Sequence, residues 1–515
     1  MVNQWLARSA LAAGLAAAAL PVAAAELKVG VREFGSGAGN PFTGCPCTPQ
    51  VFVWSAIYEQ LTKIGPQGES APLLADSWKN VNPTTWDVTL RSGVKFSNGE
   101  AMTAEAVVAS YAFLWTDAGK ATANGKQVGT IITKATKIDD RTVRFETKEP
   151  DAIFTKRIRE ISILPPKHFA DVGIEGFTLK PIGSGPYLVE YKPESASATR
   201  NPSAWRPVTG NVDRISWTVM PEGAARAQAL GSKQIDIDVS TSADDIARLK
   251  QAGMEIYAKT ATRTLGLSLV SVRDGKPVTG PLADKRVRQA LNYAVNKQSI
   301  VDNIFGGNGA PATQGATPVV YGYNPAIKGY PYDPVRAKQL LTEAGYANGM
   351  DLEFHAIMTD SAFAQAYQAA VQDLTRVGVR VKLVSEPFSE WFKYWNNGQW
   401  PHDGFGLGHD LTGSVDAGRA FDNYTSCKRG GGTAENPKAA YYCNPAEMPL
   451  VNALSVELDP AKREKMLNEA LATLTDGAPV IFLVEFKETM GFNPKIKNFS
   501  HINLWIPYEE LRIDG

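Results

Sequence analysis

DLEFHAIMTDSAFAQAYQAAVQDLTRVGVRVKLV, residues 351–384, decides the fold class. Asp351 to Met358 reads as a strand, Ala362 to Val377 as a helix ended by Gly378, and Val379 to Val384 as a second strand. A strand, a helix and a strand in succession imply parallel pairing in a sheet with helices laid over it. Working outward, Asp333-Pro334 and Asp459-Pro460 each supply an N-cap followed by proline in the first turn, and Gly345 and Gly477 stop the two helices. DKRVRQALNYAVNKQSIVDNIFGG, residues 284–307, places Val287, Leu291, Ala294, Val295 and Val301 along one helical stripe that ends at Gly306. That stripe is packing. Nearer the N-terminus, Thr84 to Arg91 alternates Trp86, Val88 and Leu90, Thr103 caps the helix AEAVVASYAFLW, and Arg141 to Thr147 alternates again. These pieces form a mixed α+β unit of their own.

Residues 1–25 read as a secretory signal. Arg8 closes a short n-region, Leu11 to Leu20 is an apolar core too short to span a bilayer, and Ala23-Ala24-Ala25 offers a small-residue cleavage site. The mature chain then begins near Glu26, and the first cysteine is Cys45, so no lipid anchor is expected. Leu27 to Phe34 is the opening strand. The glycine-rich GSGAGNPFTG that follows does not fit G-x-G-x-x-G and ends in no Lys-Ser/Thr, and Asn40-Pro41 makes it a turn. Lys and Arg number 53 against 53 Asp and Glu, a balance that argues against nucleic acid as a partner. Roughly 490 mature residues exceed what one hydrophobic core supports, so two lobes or more are expected. Of the four cysteines, Cys427 and Cys443 flank a polar loop, KRGGGTAENPKAAYY, and are the expected disulfide. Cys45-Pro46-Cys47 would need a strained small ring to pair internally.

The segment most like a binding surface is EWFKYWNNGQWPHDGFGLGHD, residues 390–410, with six aromatics and four glycines. Trp391, Tyr394 and Trp395 share a face if Phe388 to Asn397 is helical. Asn396-Asn397-Gly398 ends that helix, and the glycine-dotted loop Gly404 to Asp410 brings backbone amides and Asp410 to whatever the aromatics cover. This is the candidate floor of a ligand cleft. No G-x-S-x-G, S-x-x-K or H-E-x-x-H is present among residues that include only five histidines, so neither a catalytic motif nor a cofactor or metal site is expected.

The order of several further motifs resembles the peptide/nickel-binding family (family 5) of bacterial ABC-importer solute-binding proteins. Tyr58-Glu59-Gln60-Leu61 with PLLADSW at 72–78, and WDVTLRSGVKFSNG at 86–99 followed by Thr103-Ala104, are similar to the family's opening signatures. ILPPKHF at 163–169, PIGSGPY at 181–187, PLADKRVRQA at 281–290 and YDPVRAKQLLTEAGY at 332–346 complete the set. The resemblance implies an α/β, two-lobed periplasmic-binding-protein fold (type II, cluster C) hinged by two chain crossings. Lobe I would be 26–48, 179–267 and 488–515, with an α+β subdomain, 49–178, inserted in it; lobe II would be 268–487. In peptide-binding members an acid at the end of "G-W-x-x-D" meets the ligand's α-amino group and an upstream tryptophan lines the pocket, which implies these roles for Asp410 and Trp391. The loop after the first strand adds Thr43, Gly44 and Cys45; Trp395 and His409 complete the expected ligand-binding set. Gly406-Leu407-Gly408-His409 lacks the family's tryptophan before the acid.

The expectation is a monomeric, exported binding protein that closes on a peptide or amino-acid-derived solute and hands it to an inner-membrane ABC permease. An oligosaccharide- or opine-binding member of the same family is the alternative. The rival of another class is a secreted hydrolase using His409 and Asp410.

Overall fold

The computed structural model describes residues 25–514 apart from 36, 44–48, 66, 67, 123, 274, 275, 359, 360, 388, 389, 392, 395–400, 412–415, 419, 422–440 and 503, and only the backbone of 276 and 409–411. Ten strands carry the argument: β1 (Ala25–Val31), β2 (Val212–Val219), β3 (Ile237–Asp238), β4 (Glu255–Thr260), β5 (Thr264–Leu269), β6 (Gly309–Pro311), β7 (Met350–Ala356), β8 (Val379–Ser385), β9 (Phe405–Leu411) and β10 (Val480–Phe492). They lie in one hydrogen-bonded sheet in the order β8-β7-β9-β5-β10-β3-β1-β2, with β4 and β6 also paired to β10. The expected strand-helix-strand unit is present. β7 and β8 pair in parallel from Met350↔Val379 to Ala356↔Ser385, joined by the helix Ser361–Arg376. Its buried Ala366, Tyr367, Ala370 and Leu374 fall three and four residues apart on the face toward the sheet.

β10 is thirteen residues long and holds the two ends of the sheet together. Its first half pairs with β5 (Ser268↔Val480 to Leu265↔Val484) and its second half with β4 (Thr260↔Lys487 to Glu255↔Phe492). The chain therefore crosses between the halves twice, once at 261–263 and once within β10 near Glu485 to Lys487. The buried cores separate at the same level. One cluster joins Leu27, Trp54, Phe145, Trp217 and Tyr508, whereas two others gather Leu267, Leu291, Phe354 and Tyr367, and Phe405, Leu407, Leu471 and Phe482. The expected α+β unit is a separate four-stranded antiparallel sheet, Ala75–Asn82, Thr85–Leu90, Thr142–Thr147 and Ile132–Lys137.

Three local expectations need correction. Gly404 to Asp410 is not a loop: Phe405–Leu411 is β9, paired with β5 and, in parallel, with β7. Its glycines serve close packing, since a Cβ at Gly406 would sit 2.3 Å from the Phe354 ring and one at Gly408 would sit 2.7 Å from the Ala356 Cβ. The 284–306 stripe is two helices, Lys285–Ala294 and Lys297–Asn303, because Asn296 leaves the helical path and caps the second by accepting from the Ser299 N–H. Thr103 precedes the helix Ala104–Ala112 in an extended conformation, but its side chain makes no cap bond. The proline-led caps are as expected: Asp333 accepts from the Arg336 N–H and Asp459 from the Lys462 N–H.

Candidate functional site

Backbone register sets the candidate site at the level where the chain crosses. Asp410 on β9 lies opposite Leu265 on β5, and Leu265 lies opposite Val484 on β10. The next residue of β10, Glu485, faces Ala310 of β6. Asp410, Leu265 and Val484 thus form one backbone row across three strands, and Glu485, one residue further along β10, belongs to the opposite face of the sheet from Val484. Just beyond this row the two crossings are tied together. The Arg263 guanidinium donates to the Glu488 carboxylate at 3.0 Å and lies over the Phe486 ring, and the Thr317 hydroxyl donates to the Ala261 carbonyl at 2.7 Å.

The aromatic residues behind this row are well packed. Residues 390, 391, 393 and 394 are helical, and Trp391, 6% exposed, joins the cluster that holds Phe405, Leu407 and Tyr441. Tyr394 is half-buried, set edge-on to His355 at 5.3 Å and tilted on Phe405 at 5.2 Å. Thr43 is exposed on the turn after β1, where the Asn40 side chain accepts from the Phe42 N–H. The backbone register brings Asp410 and His409 to the crossing level; Trp395, Gly44 and Cys45 lie outside the described residues. His402 and Asp403 are occupied structurally. Asp403 accepts from the Thr279 hydroxyl and amide and from Arg273, and these bonds hold its carboxyl below the ordinary range. Both ring nitrogens of His355 are within 2.6 Å of carboxylates, Glu386 and Glu353. Among the described residues no cluster of three His, Cys, Asp or Glu could hold a metal ion, and no helix is long and apolar enough to cross a membrane. Cys443 is in the disulfide-bonded state; Cys427 lies outside the described residues.

One constellation had no local signal in the sequence. Asp416, 2% exposed, accepts from both terminal nitrogens of Arg463 at 2.9 and 2.8 Å and from Lys156 Nζ at 3.1 Å. Lys156 lies in the short helix Phe154–Arg157 of the α+β unit, whereas Asp416 and Arg463 belong to the half of the molecule that holds β5 to β9. The Tyr321 ring lies 4.3 Å from Lys156 Nζ, and the Ala152 N–H donates to the Ser455 carbonyl at 3.1 Å across the same gap. Burial would raise the Asp416 carboxyl, but Arg463 and Lys156 together hold it below its ordinary value. For Lys156 burial is the larger effect, and its ammonium is shifted down despite Asp416. Arg463 and Asp416 are therefore the firm pair, and Lys156 joins them at a desolvation cost that offsets what it gains.

Comparison with known proteins gives this geometry a context. The model of bacterial extracellular solute-binding proteins, family 5 (middle), matches residues 69–432. The dipeptide-binding protein of Escherichia coli K12 is 26% identical over 462 residues, 83% of this chain and 83% of its own. Among solved structures, Helicobacter pylori DppA in complex with the peptide STSA superposes with a TM-score of 0.78 at 20% identity, covering 95% of this chain and 98% of that one. NikA from Brucella suis in complex with Fe(III)-EDTA gives 0.81 at 24%, covering 95% and 100%. The chain has the two-lobed α/β periplasmic-binding-protein fold of these structures.

Proposed function

The chain belongs to the bacterial extracellular solute-binding proteins of family 5, and from that premise we propose that it is the periplasmic component of an ABC importer. It captures a peptide or amino-acid-derived solute between its lobes and delivers it to an inner-membrane permease. The observation that carries this reading is the double crossing beside the row of Asp410, Leu265 and Val484. Two strand connections tied by Arg263 and Glu488 let two rigid cores turn about one line, the geometry of hinge closure on a ligand. The relatives that bear dipeptide names support a peptide. We place lobe I at 26–48, 179–260 and 488–515, the inserted subdomain at 49–178 and lobe II at 264–487, moving the expected boundary between 267 and 268 back to the crossing at 261–263, with 1–25 removed on export. In this arrangement Asp410 meets the α-amino group, and Trp391, Trp395, His409, Thr43, Gly44 and Cys45 line the pocket.

Closure requires that the solute bind the closed form better than the open one. A charge-assisted bond to a carboxylate in a dehydrated cleft supplies that difference. The test is calorimetry of the purified protein against a dipeptide panel, with scattering to follow its radius. Saturable binding with compaction is expected. Binding of an oligosaccharide or opine in place of any dipeptide would overturn the peptide assignment, and steady turnover of a bound peptide would favour the secreted-hydrolase rival.

A further inference from the structure

We propose that His355 is a positioning residue for the solute site: it clamps the aromatic helical segment around Trp391 and Tyr394 to the strand that carries Asp410, and so sustains a preference for solutes with an aromatic side chain. The inference rests on the solute-binding reading above and names the class of solute. His355 is 6% exposed on β7. Its Nε2 lies 2.6 Å from a Glu353 oxygen and its Nδ1 2.6 Å from a Glu386 oxygen. An imidazole with a carboxylate on each side needs a hydrogen on each nitrogen, which is the imidazolium form. Burial would raise the Glu353 carboxyl, yet His355 and Lys382 together hold it below its ordinary value, as charged donors do.

The two carboxylates are not equivalent. Glu353 also accepts from Lys382 Nζ at 3.0 Å and has His402 Nε2 3.5 Å away, whereas among the described residues His355 is the one side-chain donor to Glu386. Glu386 stands where β8 gives way to the aromatic segment. Its N–H donates to the Ala356 carbonyl at 2.9 Å, and the next carbonyl, that of Pro387, accepts from the Glu390 and Trp391 amides at 3.1 and 3.0 Å. The same imidazole is edge-on to Tyr394 at 5.3 Å and 4.8 Å from the ring of Phe405, the first residue of β9. One side chain thus joins the root of the aromatic segment, its Tyr394 and the root of the strand that carries Asp410. The titratable and charged groups facing it from these elements are Glu353, Lys382, Glu386, Tyr394 and His402; Glu390 is turned to Lys393. Removing one ring hydrogen sets a nitrogen lone pair against a carboxylate, and Glu386, with no other side-chain donor, is the partner that parts. The aromatic segment then loses its tether, and with it the fixed ring faces on which an aromatic side chain of the solute would pack.

The probes are the dipeptides Ala-Phe and Ala-Ala, whose shared terminal groups cancel in the ratio of their affinities. Wild-type protein is expected to bind Ala-Phe about tenfold more tightly than Ala-Ala, and the ratio should shrink as alkali removes the second ring hydrogen of His355. His355→Gln and Glu386→Ala should each bring the ratio to within about threefold of one. The double variant should do no more than either alone, because both break the same contact. Equal affinity of wild type for the two dipeptides, a ratio unmoved by pH, or a double variant whose losses add overturns the inference and leaves the solute-binding reading standing. If the variants do not fold, the wild-type pH series decides alone. Failure of wild type to bind either dipeptide overturns both.

Discussion

Replacing Asp416 by Asn should open the molecule, and removing Lys156 as well should close it again. Lys156 Nζ and Arg463 both donate to the same Asp416 oxygen, at 3.1 and 2.9 Å, so the two cations are about 5 Å apart. With the carboxylate neutralised, their repulsion is about 3 kcal/mol at an effective dielectric near 20. Opening relieves it, because Lys156 sits on the inserted subdomain and returns to water when the lobes part. A closure penalty of about 1.4 to 2.8 kcal/mol remains after partial relaxation, which is a tenfold to hundredfold loss of affinity. Lys156→Met alone leaves the Arg463–Asp416 pair whole and ends the desolvation of the ammonium, so affinity should change by less than about threefold. Calorimetry with a bound dipeptide, and the scattering radius with and without it, test the cycle. Asp416→Asn should also lower the melting temperature through the lost Arg463 bonds, a loss the double variant retains. If Lys156→Met weakens binding as much as Asp416→Asn, or if the double variant binds no better than Asp416→Asn, the reasoning fails.

Asp410→Asn should weaken an amine-bearing ligand by roughly thirtyfold, about 2 kcal/mol, with the melting temperature nearly unchanged; equal affinity by calorimetry would remove its role. His501 is 1% exposed, its Nδ1 accepts from the Leu504 N–H, and burial with Lys259 nearby pulls its pKa from 6.5 to about 4. The folded state thus resists protonation, so the stability His501 contributes is full above pH 6.5 and is lost as pH falls toward 4, by up to about 3 kcal/mol. His501→Asn should flatten that limb of a stability-pH profile, and an unchanged slope counts against it. Cys427 and Cys443 are expected to be bonded to each other, closing a loop whose constraint is worth about 3 kcal/mol. Non-reducing peptide mapping that finds both thiols free would end that assignment.

What the sequence made legible follows from range. The parallel unit at 350–385, the Asp333 and Asp459 caps and the alternating strands of the α+β unit are written in spacings within one turn or one pleat, and they stand as read. Errors arose where a neighbour distant in sequence overrode a local cue. Gly406 and Gly408 suggest a loop, yet Phe354, Ala356 and Tyr367 press so closely on β9 that glycine is what a strand there requires. Asn296 breaks one stripe into two helices partly because its N–H is taken by Asp373, 77 residues away. The same reason hid the parts that bear on function. Lys156 and Asp416 are 260 residues apart, and each alone resembles a solvated charge. Glu485 sits in an apolar strand, VIFLVEF, that reads as core. A lone acid in such a run is the one sequence signal that could have marked the hinge, because a carboxylate amid that much apolar surface needs a partner, and among the described residues no side chain donates to it.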